Sequence, residues 1–126
     1  MAEDPFHLQR FVEAQSGGVY EQALAELTAG RKRSHWIWFI FPQSRELGRS
    51  ETAKYYGLSG LPEAAAFAAH PLLGPRLREC MAALRLHLDA GVSAEAVLGE
   101  IDALKYKSSM AIFAQATGQA EFRAGS

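Results

Sequence analysis

The chain has 126 residues and one cysteine, Cys80. A single thiol excludes an internal disulfide and any zinc site built from two or four cysteines. Charge of one sign is not in excess: 13 Lys and Arg stand against 14 Asp and Glu, a net charge of −1. Nucleic acid is therefore not an expected partner, since bulk positive charge is what grips a phosphate backbone. The longest apolar run, residues 36–41, has six residues, where a membrane-spanning helix needs about 20. No membrane segment is expected. The acidic opening Met1-Ala2-Glu3-Asp4-Pro5 has no apolar run behind it, so no secretory signal is expected and a cytoplasmic location is. No phosphate-binding loop, dinucleotide-binding glycine pattern, His-Glu-x-x-His or Gly-x-Ser-x-Gly occurs. His7, His70 and His87 lack ligand spacing, so neither a metal nor a cofactor is expected.

What is present reads as one folded domain, with 48% hydrophobic and 21% charged residues. No alternating run is long enough for a sheet, and the expected fold is all-α, a single multi-helical domain over residues 4–122. Asp4-Pro5 is expected to open a first helix, with Leu8, Phe11, Val12 and Gln15 on one face and Gly17-Gly18 at its end. Residues 19–29, 50–56 and 61–69 read as further helices. Gly74-Pro75 opens the clearest one, on which Leu77, Cys80, Met81, Leu84 and Leu88 recur every three or four residues. Cys80 falls on that stripe and is expected to be inert core. Ser93 is expected to cap a short helical turn, and Asp102 a final helix over residues 103–116. Residues 36–41, Trp-Ile-Trp-Phe-Ile-Phe, must be buried on nearly all sides. They are taken as a short central helix, and truncation of Trp38 or Phe39 is expected to cost about 3–5 kcal/mol. Phe122 either docks on the core or begins an element outside this chain.

Three constellations can carry chemistry. In Arg31-Lys32-Arg33-Ser34-His35-Trp36, cations and an imidazole abut the apolar block; Arg33 can grip a phosphate or carboxylate, and His35 can act as a general acid or base. Lys32 has no special neighbour in sequence and reads as a solvated cation. Around Gln43 and Gly48-Arg49-Ser50, Arg49 stands beside a helix start, and Gln43 either finds buried partners or recognises an amide-bearing ligand. On the last helix Lys105, Ser108 and Ser109 share a face: they bind a phosphate or polar sugar, or the serines let helices pack closely. If residues 36–41 extend as a helix, His35 and Gln43 lie about 12 Å apart along it on nearly one face.

Several of these blocks resemble the family catalogued as domain of unknown function 1810. They include Asp4-Pro5-Phe6-x-Leu8-x-Arg10-Phe11 and Arg31-Lys32-x-Ser34-His35-Trp36-x-Trp38-Phe39-x-Phe41-Pro42-Gln43. Leu47-Gly48-x-Ser50, His70-Pro71-x-Leu73-Gly74-x-Arg76-Leu77 and Lys105-x-x-Ser108-Ser109-Met110-x-x-Phe113 complete the match. The resemblance implies a multi-helical fold without an established activity. Some members carry the label calpastatin, a disordered protease inhibitor, and the compact composition here gives that label no support. Members commonly continue into another amphipathic segment after the position of Phe122, so one helix of the usual fold is either missing here or simply not included in this sequence.

The expected function is a cleft that accepts an anion on a nucleotide-like or ADP-ribose-like small molecule. Its ligand-binding residues are Arg33, Gln43, Arg49, Lys105, Ser108 and Ser109. If a reaction follows, it is hydrolysis or transfer with His35 as catalytic acid or base. The alternative is a non-catalytic protein interaction domain in which the same polar groups are structural.

Overall fold

The computed structural model describes residues 4–125. Among them are nine α-helices, one 3-10 turn and no strand. The nearest approach to a sheet is an isolated parallel bridge between Ser44 and Leu58. The chain begins with a correction to the expected cap. The Asp4 carboxylate accepts from the amides of Leu8 and Gln9, at 2.7 and 2.9 Å. It thus closes a turn, and α1 (Gln9–Ala14) starts four residues later than the Asp-Pro pair implies. Helix α2 (Val19–Ala29) runs between Gly18 and Gly30, as the sequence predicts.

The aromatic block is one turn of helix, α3 (Ile37–Ile40), and no longer. Phe41 leaves helical geometry at φ −125° and ψ 72°, and Pro42 has no N–H with which to continue. Trp36, Ile37, Phe39, Ile40 and Phe41 are buried, but Trp38 is only half-buried. The expected stability cost of truncation thus moves from Trp38 to Trp36, which is 1% exposed. A 3-10 turn (Arg45–Leu47) leads to α4 (Glu51–Tyr55), capped by the Ser50 hydroxyl, and to α5 (Leu61–Ala69).

Helix α6 (Leu73–Asp89) carries Leu77, Cys80, Met81 and Leu84 into the core. Burial pushes the Cys80 thiol up to about 12, as an inert core cysteine requires. Two motif residues make the α5–α6 corner. A Cβ on Gly74 would stand 2.3 Å from the Ala68 carbonyl oxygen, so only glycine admits this approach. The His70 Nδ1 accepts from the amides of Leu72 and Leu73 at 3.1 and 3.2 Å, which puts the ring proton on Nε2. His70→Ala is expected to lose about 1 kcal/mol in urea unfolding, the usual worth of a helix cap, and His70→Asn to lose less because it keeps an acceptor.

Helix α7 (Ala94–Leu98), capped by Ser93, turns at Gly99 into α8 (Glu100–Thr117), and α9 (Ala120–Gly125) folds back on α8. Phe122 docks on the core, fully buried, with its ring 5.4 Å from that of Phe113. A chain of rings runs Phe11–Phe67–Phe113–Phe122 and joins α1, α5, α8 and α9. A second, Trp36–Phe41–Tyr106, ties the α3 segment to α8. Fixing α3 against α8 positions the cleft between them.

Candidate functional site

The loop before α3 is organised by a buried acid. Glu26, on α2, accepts from the amides of Arg33 and Ser34, the Ser34 hydroxyl, the Trp36 indole and the Gln22 amide. Burial alone would raise its carboxyl. The bonds from Ser34, Arg33 and Gln22 outweigh that and hold it well below the usual carboxylate range. Ser34 and Trp36 are therefore frame, and they leave His35 turned outward between them.

Lys32 corrects the reading as a solvated cation. Its side chain is 8% exposed, and Nζ lies 2.8 Å from Asp102 Oδ2. It also donates to the Ser34 carbonyl and lies 5.0 Å from the Trp36 ring centre. Asp102 is correspondingly not a cap. Helix α8 starts three residues earlier than expected, at Glu100 after Gly99 at φ 90°, with no side chain capping it. The Asp102 carboxylate serves Lys32 and, at 3.9 Å, Lys105. No sequence spacing links Lys32 to Asp102; only the i,i+3 placement of Asp102 and Lys105 was visible.

Between these elements lies a cleft of about 520 Å³. It is lined by His35 and Trp38 from the α3 segment, by Gly99 to Asp102 and Lys105 from α8, and by Lys32. Lys105 Nζ is 5.3 Å from the centre of the Trp38 ring. The His35 ring lies 6.5 Å from that ring at 30°. Gly99 to Asp102, at the start of α8, line the same space, and no side chain caps this helix start.

Of the seven residues singled out from sequence, the cleft brings together His35 and Lys105. Arg33 is exposed, and its contribution to the frame is the amide given to Glu26. Gln43 follows the single turn of α3, so it does not share a helical face with His35; its carbonyl accepts from Leu58. Arg49 is exposed just ahead of the Ser50 cap. Ser108 lines a separate groove with Ser44, Leu47 and Leu61. Ser109 is fully buried, and its hydroxyl has no protein partner. Close packing of α8 is what its small size permits. Trp38, Lys32 and Asp102 complete the cleft; no sequence spacing points to Lys32 or Asp102, and an unbroken apolar run gives no sign whether Trp36 or Trp38 is the ring that faces a ligand.

A family model described as "Protein of unknown function (DUF1810)" matches residues 5–125. The crystal structure of the conserved hypothetical protein Rv1873 from Mycobacterium tuberculosis is similar to this chain, with 50% identity and a TM-score of 0.90. The match covers 97% of this chain and 86% of that one. No curated protein matches.

Proposed function

The chain belongs to the DUF1810 family, and we propose from the cleft itself that it is a receptor for a small planar organic anion. The observation that carries this reading is the half-buried Trp38 ring flanked by Lys105 and His35 at the open start of α8. A planar group packs on the indole, and the anion is held by Lys105 and the first-turn amides. The volume suits a small ligand. Lys32 is neutralised by Asp102, whereas the longer 3.9 Å contact leaves much of the Lys105 charge for a ligand. Glu100 also borders the cleft and opposes a high negative charge. A carboxylate or monophosphate on an aromatic ring therefore fits better than a triphosphate. If turnover accompanies binding, His35 is its acid or base.

A second reading, a protein interaction domain whose motif polar groups are structural, has support at Ser34 and the Arg33 amide, both taken up by Glu26. It gives no role to Lys105 over Trp38. The test is a tryptophan-fluorescence titration with a parallel thermal melt, using AMP, ATP, adenosine and inorganic phosphate. AMP is expected to quench and to raise the melting temperature, and the other three to act more weakly. At 100 times its dissociation constant a ligand adds about 2.7 kcal/mol. Lys105→Ala and His35→Ala are expected to melt as the parent does and to bind AMP at least about tenfold more weakly. Variants that lose stability while no probe moves either signal would overturn the proposal.

A further inference from the structure

Two lysines of the cleft share one carboxylate. Asp102 meets Lys32 through Oδ2 at 2.8 Å and Lys105 through Oδ1 at 3.9 Å. The two cations are not equivalent. Lys32 is 8% exposed and is held by Asp102, by the Ser34 carbonyl and by the face of Trp36. Ser34 and Trp36 are themselves bonded to Glu26, so this anchorage is rigid. Lys105 is 26% exposed and lies over the half-buried Trp38 ring. A buried ammonium is costly without a counter-charge, whereas an i,i+3 pair on a helix surface is weak. Lys32 therefore has the first claim on Asp102.

We propose that Lys32 is a positioning residue: it holds the Asp102 carboxylate off Lys105, and the Lys32–Asp102 pair thereby sets the charge of the anion that the cleft accepts. This rests on the cleft being an anion receptor and adds what selects among anions. Two ammonium groups and one carboxylate leave a single positive charge, and the anchorage of Lys32 places that charge on Lys105. Without Lys32 the carboxylate is free to turn to Lys105, and the three-residue set then carries no net positive charge into the cleft. Without Asp102 both lysines are uncompensated, and a more highly charged anion is favoured. Lys32 also lines the cleft. A Lys32 that gripped the anion directly would leave its loss unrepaired when Asp102 is removed as well. A Lys32 that acts through Asp102 would not, because removing both restores the single charge on Lys105.

Two readouts test this, one without any ligand. Acetylation by limiting acetic anhydride, followed by peptide mass spectrometry, reports how tightly each lysine is paired. Lys107, which pairs with Glu95 at 3.5 Å, is the internal reference. Relative to Lys107, Lys105 is expected to label more slowly in Lys32→Met than in the parent, and to recover in Lys32→Met with Asp102→Asn. AMP and ATP titrations are expected to follow the same order. Lys32→Met should weaken AMP at least about tenfold, and the added Asp102→Asn should recover most of that loss. Asp102→Asn alone should shift the preference toward ATP by about tenfold. Should that variant melt early, with Lys32 unpaired, the double variant keeps the test readable, since it removes both buried charges together. Lys105 labelling indifferent to Lys32→Met, or a double variant as weak for AMP as Lys32→Met, would overturn the proposal. The expected labelling order with no probe bound by any form would support the division of Asp102 and overturn the receptor reading instead.

Discussion

Replacing Glu26 with alanine is expected to lower the free energy of unfolding by about 3–5 kcal/mol, the loss that follows when a buried charged group is taken from its partners. Glu26 is 5% exposed and accepts five hydrogen bonds. Without it the amides of Arg33 and Ser34 and the indole N–H of Trp36 remain buried or half-buried and unpaired. The loop carrying Lys32 and His35 then loses its anchor, so AMP binding should weaken along with stability. Glu26→Gln is expected to be milder. Its carbonyl oxygen keeps the bonds made by Oε1, and its amide can donate to the Ser34 hydroxyl, which also accepts. The two variants separate further in acid. The folded Glu26 carboxyl is held below its ordinary value of 4.5, so the folded state binds this proton less readily than the unfolded chain. Its contribution is complete above about pH 4.5 and is lost as pH falls toward the folded value. Urea melts of the parent protein should therefore weaken below pH 4.5, and those of Glu26→Gln should show a flatter acid limb. Equal slopes would mean that Glu26 is not held as an ionised acceptor.

Local signals carried the helices and distant pairings carried the cleft, and that difference decides what the sequence could disclose. Residues 19–29 and 61–69 are bounded by glycine and by His-Pro, and each carries an apolar face of period 3.6. Their helices, Val19–Ala29 and Leu61–Ala69, were accordingly legible to the residue. The start of α8 was not. Ser, Thr, Asp and Asn are the usual caps, so Asp102 attracted the assignment, while Gly99 caps through its backbone alone. Once α8 begins at Glu100, Asp102 sits inside the first turn facing the loop before α3. Its ion pair with Lys32 bridges 70 residues of chain, a distance that periodicity does not reach. His35 was recognisable because it stands at the edge of the apolar block, and Lys105 as a cation on a face of the last helix, although Ser108 and Ser109, read with it, lie outside the cleft. Gln43 was misplaced relative to His35 because an all-apolar run shows no period, and α3 has one turn where two were assumed.

Arg10→Ala is expected to cost about as much as the loss of Glu26, about 3–5 kcal/mol, and to resist the usual remedy. Arg10 and Glu63 form a buried ion pair at 2.7 Å, 4% and 1% exposed. Replacing both members of such a pair by apolar residues is often neutral or stabilising, because two desolvated charges disappear together. Here the pair is part of a larger set. The guanidinium spends its other donors on the carbonyls of Phe6, His7, Tyr55 and Gly57, at 2.7 to 3.1 Å. Glu63 in turn accepts from the amide and hydroxyl of Ser59. Arg10 thereby ties the N-terminal turn to both ends of the α4–α5 connection. One of its acceptors is His7, held at φ 53°, where a side-chain-bearing residue rarely rests. The double replacement Arg10→Met with Glu63→Leu removes the charges but leaves four carbonyls and the Ser59 amide without these partners. It should therefore stay destabilised by more than about 2 kcal/mol. Arg10→Lys, with three donors on a single nitrogen, should recover only part of the loss. A double-mutant cycle read by urea unfolding checks this. A double variant as stable as the parent would mean that the carbonyls find water at no cost and that the ion pair alone accounts for Arg10.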